Sequence, residues 1–184
     1  MSGQFKDSPT RALSLYSPWA WAVLNLGKDI ENRSWQRWSG DAKFRGWFWL
    51  HASMFGGPTQ GGLRKLVEEF DGVKTMAARA GRAMPSHPVT PQMFLDMRGK
   101  IVGMARVVDV VEKSESGWFC GPLGLVLADV TPLAEPVECK GALGFWKVPD
   151  DVLGRLAEPW TRAEMSRLGF IPRPAGDEKR EGEG

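Results

Sequence analysis

A chain of 184 residues with a formal charge of +2, 42% hydrophobic and 25% charged, has room for one domain with additions and enough apolar mass to build a core unaided. Its two cysteines, Cys120 and Cys139, lack a CxxC spacing and stand beside only two histidines, which excludes a standard Cys/His zinc site and argues against a disulfide scaffold. The polar start Met1–Asp7 has no apolar leader core and no run reaches about 18 apolar residues, so the expectation is a cytoplasmic chain with no membrane contact and two buried, reduced thiols.

Residues 1–10 read as a flexible N-terminus, followed by one domain over 11–172 and a charged, disordered tail over 173–184. Ala12 to Tyr16 alternates and predicts a short strand. Ser17-Pro18 then opens a helix, with Ser17 as cap and Pro18 in the first turn, and Gly27 stops it. Lys28 to Trp35 reads as an extended segment crowded with polar groups, and Phe44 to Ala52 as a central strand. A helical insertion spans 54–98: a glycine-rich loop, a helix over about 62–71, a second over about 73–82, and a short one opened by Thr90-Pro91. Strands return at Lys100 to Val111, Leu123 to Val130, Pro136 to Lys140 and Gly144 to Val148, and Thr161 to Glu164 is a capping box for a C-terminal helix. The order describes an α+β barrel with added helices.

The densest chemistry lies in Gly27-Lys28-Asp29-Ile30-Glu31-Asn32-Arg33-Ser34-Trp35. Extended-chain alternation puts Glu31, Arg33 and Trp35 on one face and Lys28 on the other. A carboxylate, a guanidinium and an indole together can bond a base edge, hold a phosphate and stack on a ring. The same spacing also describes a surface ion pair beside a packed indole, and spacing alone does not separate the two.

The order of segments adds to this. Ala12-Leu13-Ser14-Leu15-Tyr16-Ser17-Pro18-Trp19-Ala20 followed by Gly27-Lys28-Asp29-Ile30-Glu31-Asn32-Arg33 resembles the N-terminal signature of the ASCH family. Trp49-Leu50-His51-Ala52-Ser53 resembles its next motif. Further likenesses follow in order: Ile101-Val102-Gly103 with Val107-Val108-Asp109, then Trp118 to Pro122 with Val126 to Val130, then the Pro136 to Trp146 ending. The resemblance covers roughly residues 12–148. It implies a PUA-like β-barrel with a buried N-terminal helix and a cleft lined by Lys28, Glu31 and Arg33. Relatives in that superfamily bind RNA or recognise modified bases; some ASCH proteins cleave RNA, and a short bacterial branch hydrolyses the amide of an acetylated cytidine. That amidohydrolase branch carries a threonine three residues after its lysine. Here Glu31 holds the place, and a carboxylate is a poor substitute for a hydroxyl nucleophile. Ser17 likewise stands where many relatives carry glutamine.

Other residues have two readings each. His51 is either a proton-transfer group or a half-buried histidine satisfied by backbone; Ser53 either bonds a ligand or caps a turn. Trp118, in a loop before Gly121-Pro122, is the stacking candidate after Trp35, whereas Trp19, Trp21 and Trp146 have apolar neighbours and read as core. Arg64, Lys65, Arg79, Arg82, Lys100 and Arg106 describe either a phosphate rim or solvated faces. Asp109 and Asp129 read as strand-end acids rather than a metal pair.

Three functions follow as expectations. The first is a nucleic-acid or nucleobase-binding module, RNA-directed, in which Lys28, Glu31 and Arg33 orient the ligand, Ser53 adds a hydrogen bond, and Trp35 or Trp118 stacks on a base. The second is an RNA-cleaving hydrolase or modified-nucleoside amidohydrolase on the same cleft, with Lys28, Glu31 and His51 as catalytic groups. The third is a protein-interaction domain. No cofactor and no metal ligand is assigned; a divalent-metal requirement and the oligomeric state stay open.

Overall fold

The computed structural model describes residues 9–54 and 59–157. The capping box at Thr161, the charged tail and most of the N-terminal ten residues lie outside that range. Six strands form one mixed sheet in the order β2-β5-β4-β3-β1-β6: β1 Arg11–Tyr16, β2 Ile30–Arg33, β3 Gly46–Ser53, β4 Lys100–Val111, β5 Leu123–Glu138 and β6 Phe145–Lys147. Only the β1–β3 pair is parallel. Among the described residues four α-helices accompany the sheet: α1 Ser17–Asn25, α2 Gln60–Arg79, α3 Pro91–Met97 and α4 Asp150–Leu156. The class is α+β, and the sheet curls. β2 is an edge strand and β1 is fifth in order, yet the Arg33 guanidinium donates to the Ser14 carbonyl at 3.1 Å. Right-handed strand twist brings the sheet round on itself, and the gap between β1 and β2 is the seam of a half-closed barrel.

Alternation along β3 sorts the two faces. Phe48, Leu50 and Ala52 enter the core inside the curl with Leu13, Leu15, Val107 and Leu125. Trp49 and its neighbour Trp47 face outward, where α4 covers them with Val152 and Leu156. The Trp49 indole nitrogen donates to the Pro9 carbonyl at 2.6 Å, which satisfies its one polar atom.

The observed elements differ from the expected ones at four places. Residues 60–79 form one helix rather than two. The apolar stripe Leu66, Phe70, Val73 and Ala77 runs unbroken through Gly72, and the Trp19 ring lies only 3.2 Å from where a Gly72 Cβ would stand. The glycine is therefore a packing site, not a break. The two strands expected at 123–130 and 136–140 are one long β5. It bends at Asp129, whose φ of 53° is left-handed, and its register against β4 shifts three times. α4 has no counterpart among the expected elements. Finally, Ser17 does not cap α1: Tyr16 holds the cap position without a side-chain capping bond, and the Ser17 hydroxyl is buried without a partner. Gly27 does end that helix in the left-handed region, at φ 62°, and the Lys28 amide turns back to the Ala22 carbonyl.

α2 and α3 pack on α1 around Trp21, which meets Phe70 and Phe94 edge-on at 6.0 and 5.9 Å. No helix among the described residues is long and apolar enough to cross a membrane.

Candidate functional site

The seam between β1 and β2 opens into a cleft of about 650 Å³. Ser14, Leu15 and Tyr16 form one wall; Lys28, Glu31, Arg33 and Trp35 form the other. α2 closes one side with Glu69 and Met76, and the loop before β6 closes another with Gly141 to Gly144. β6 pairs with β1 only through Arg11–Leu13, so the β1 edge beyond Leu13 borders the cleft without a neighbouring strand among the described residues.

A chain of charges lies in the second wall. Lys28, with a side chain only 1% exposed, donates from its ammonium to the Ile30 carbonyl and, at 2.7 Å, to Glu31 Oε2. The other oxygen of Glu31 meets the Arg33 guanidinium at 3.1 Å. The Lys28 ammonium also sits 5.7 Å from the Trp19 ring centre, and the Arg33 guanidinium 5.1 Å from that of Trp35. Burying Lys28 would be prohibitive alone; with a carboxylate, a carbonyl and an aromatic face around it, its charge is compensated. Two cations against one carboxylate leave the cluster with one net positive charge. Both Glu31 oxygens are engaged, one by Lys28 and one by Arg33, whose orientation the carboxylate fixes.

The expected site residues are brought together in part. Lys28, Glu31, Arg33, Trp35 and Ser53 all line the cleft. Alternation places Lys28 on the face away from Glu31, but β2 begins only at Ile30. The left-handed turn at Gly27 swings Lys28 back to its neighbour's carboxylate. Ser53, at the end of β3, caps no turn: its hydroxyl is buried with no hydrogen-bond partner.

Trp118 is a correction. It is 1% exposed, packed with Trp21, Leu26 and Ile30, and offers no face to a base. The side-chain amide of Asn32 fastens the loop on both sides of it, donating to the Trp118 carbonyl at 2.8 Å and accepting from the Cys120 amide at 2.8 Å. Trp19 is the reverse case. Read as core, it lines the cleft, and its indole nitrogen donates to Glu69 Oε2 at 2.7 Å. This contact ties α2 to the cleft and was invisible locally, because the two residues lie 50 apart. Cys120 is exposed and lines the cleft, against the expectation of two buried thiols. Only Cys139 is buried, and that burial pushes its thiol up.

His51 stands behind the cleft wall, 1% exposed. Its Nε2 lies 2.9 Å from the Cys139 carbonyl, which can only accept, so Nε2 carries the proton and Nδ1 accepts from the Ser14 hydroxyl at 3.0 Å. The Trp146 indole nitrogen donates to the same Ser14 oxygen at 3.0 Å. Desolvation lowers the His51 pKa, partly offset by the bond to Cys139, and keeps the ring neutral. The backbone-satisfied histidine is the reading that fits this geometry: His51 braces β1, β3 and β6, and reaches the cleft only through Ser14.

Four of the six candidates for a phosphate rim are engaged in ion pairs or clamps. Arg64 and Lys65 pair with Glu68 and Glu69 along α2, Arg106 pairs with Asp129, and Arg79 holds the carbonyls of Gly117 and Phe119. Asp109 pairs with Arg45. Among the described residues no group of three or more His, Cys, Asp or Glu side chains is placed to hold a metal ion. A scan against protein-family models matches none of them, and a search of the curated proteins returns no match. The chemistry of the cleft therefore rests on its own residues.

Proposed function

We propose that this chain is an ASCH-type domain on a PUA-like barrel, and that its cleft binds a base of RNA rather than cleaving the strand. The observation that carries the reading is the buried relay from Lys28 through Glu31 to Arg33, set between the rings of Trp19 and Trp35. A volume of about 650 Å³ suits a nucleotide-sized ligand. Arg33 keeps 18% of its side chain exposed and brings donors and positive charge to the ligand. The flanking indoles supply faces for stacking, which tolerates any base.

Binding is favoured over hydrolysis by the state of the three groups assigned to catalysis. Lys28 is held by two oxygens and a ring, Glu31 has both oxygens committed to cations, and His51 is screened by Ser14. Each is engaged by a neighbouring group before any substrate atom is present, an arrangement that suits orienting a ligand better than moving a proton. The test is incubation of the protein with labelled single-stranded RNA, with and without Mg²⁺ or Mn²⁺, followed on a denaturing gel and by filter retention. Intact, retained RNA whose affinity falls with salt is expected. Cleavage abolished by Glu31→Gln would overturn the reading in favour of the hydrolase.

A further inference from the structure

The cleft carries a second carboxylate, to which the relay from Lys28 to Arg33 assigns no role. Glu69 stands on α2, in none of the segments that resemble the ASCH pattern, yet it lines the same cleft as Arg33 and Trp35. Its Oε2 accepts from the Trp19 indole at 2.7 Å, and its Oε1 meets the Lys65 ammonium at 3.1 Å. An ionised carboxylate has about four lone-pair sites, shared between its two oxygens. Each Glu69 oxygen spends one of them inside the protein and keeps another, side by side, for a further donor. The side chain is 18% exposed, so a ligand in the cleft can reach it.

Glu69 also sets the charge of the cleft. Lys28 and Arg33 bring two positive charges to the lining and Glu31 and Glu69 two negative ones; no other Asp, Glu, Lys, Arg or His among the described residues lines it. A lining that is neutral in sum does not draw in a phosphate. It suits an uncharged ligand that accepts hydrogen bonds on one edge and donates them on another. The donors are at hand on the strands. Arg33 Nε is buried with no hydrogen-bond partner, and so is the Ser53 hydroxyl at the end of β3. Buried polar groups left unpaired are rare and costly, and both of these residues line the cleft, where a ligand can bond them. The acceptors are the Glu69 oxygens on α2.

We infer that Glu69 is the residue that selects the base, and that the base is guanine. This rests on the base-binding reading of the cleft and goes on from it to name the ligand. Of the four RNA bases, guanine alone presents two adjacent donors on its Watson–Crick edge, N1–H and the N2 amino group, a match for two carboxylate oxygens. Its other edge carries the O6 and N7 acceptors that suit an arginine. Adenine and cytosine set a ring-nitrogen acceptor beside their amino group, and uracil sets its one donor between two carbonyls. Each of these would turn a lone pair toward Glu69. The same carboxylate holds the Trp19 indole, so the group that reads the base edge also fixes a ring on which the base can stack. The phosphates of the strand stay outside the cleft.

The test is fluorescence anisotropy of the full chain with short labelled oligouridines that carry one central guanosine, inosine, adenosine or cytidine, beside oligouridine itself. Inosine keeps N1–H, O6 and N7 and lacks only the N2 amino group. The wild-type protein should bind the guanosine oligomer at least about tenfold more tightly than the adenosine, cytidine and all-uridine ones, the discrimination of one bidentate pair. Inosine should lose about tenfold against guanosine, the worth of one hydrogen bond to a charged acceptor. Glu69→Gln keeps the size of the side chain and an oxygen for the Trp19 bond. It should bind the guanosine and inosine oligomers alike and hold oligouridine at least as well as wild type, because the cleft has lost a negative charge. Guanosine and inosine bound alike by the wild-type protein, a comparison that needs no variant to fold, overturn the inference. So does a Glu69→Gln protein that keeps the preference, or one that loses every oligomer in proportion, as a residue that only holds α2 would. Equal binding of all five oligomers overturns the inference and leaves the base-binding cleft intact, whereas binding of none overturns both.

Discussion

Replacing Glu31 with glutamine tests whether the charge relay is the buried structure described here. The glutamine keeps the shape and can still bond one cation, but it removes the only carboxylate that Lys28 and Arg33 share. Lys28 has a side chain 1% exposed and would keep the Ile30 carbonyl, the Trp19 ring and at most a neutral amide oxygen in place of the carboxylate. Removing one partner of a buried pair costs about 3–5 kcal/mol, because the remaining charge stays out of water. Glutamine's residual hydrogen bond places the expected loss at the lower end, about 3 kcal/mol. For a domain of this size that is a fall in Tm of about 6–12 °C. Urea unfolding followed by tryptophan emission measures it, with equal m-values in both proteins as the check on a common unfolded state. Adding Lys28→Met should recover at least about 1.5 kcal/mol, since the double variant no longer buries an unpaired ammonium. A loss below about 0.5 kcal/mol for Glu31→Gln would be the behaviour of an exposed pair and would refute the buried relay.

Three further outcomes follow from the same geometry. His51 stays neutral in the fold because burial lowers its pKa, whereas the unfolded ring takes up a proton below about 6.5. Its contribution to stability is therefore complete above that pH and is lost as pH falls from about 6.5 through the lower folded value; His51→Gln should flatten the stability profile below about pH 6.5, as read by urea midpoints. Gly141→Ala should destabilise the fold by about 1–3 kcal/mol, since a Cβ there would stand 2.7 Å from His51 Nδ1 and 2.8 Å from the Ser14 hydroxyl; an unchanged thermal midpoint would mean the loop sits farther off. Trp19→Phe removes the 2.7 Å bond to Glu69 and should cost about 1 kcal/mol, with faster amide exchange along α2 but not in β3 or β4.

Much of the architecture was legible because it rests on local rules. β1, β3 and β4 declare themselves by alternation and by β-branched or aromatic residues, and α1 by its proline and glycine punctuation. Where local rules fail, a distant partner decides. Gly72 marks a break in isolation, yet the Trp19 ring needs the space and the stripe on either side keeps the helix whole. Trp118 sits among glycines and a proline, as loop residues do, but apolar residues of α1, α2 and α3, distant in the chain, supply the pocket that buries it. α4 spans under two turns and carries only Val152, Leu153 and Leu156 as signal, too short for periodicity to show.

The site divides in the same way. Glu31 and Arg33 share a face by strand period, and the structure keeps them together. Lys28 joins them only through the Gly27 turn. The roles of Ser14 and Trp19 depend on sheet curl and loop packing, for which no local pattern exists. Ser14 comes to the cleft because, among the described residues, no strand flanks the β6 side of β1 beyond Leu13, and Trp19 through its bond to Glu69 on α2.

Fluorescence anisotropy with a labelled single-stranded RNA reads binding at the β1–β2 seam. Wild type is compared over a salt series with Arg33→Ala in the cleft and Arg64→Ala on the far end of α2. Salt-sensitive binding is expected, weakened at least tenfold by Arg33→Ala and left within a factor of about two by Arg64→Ala. Equal losses from the two variants, or binding that neither changes, would place the RNA elsewhere on the molecule and contradict binding at the seam.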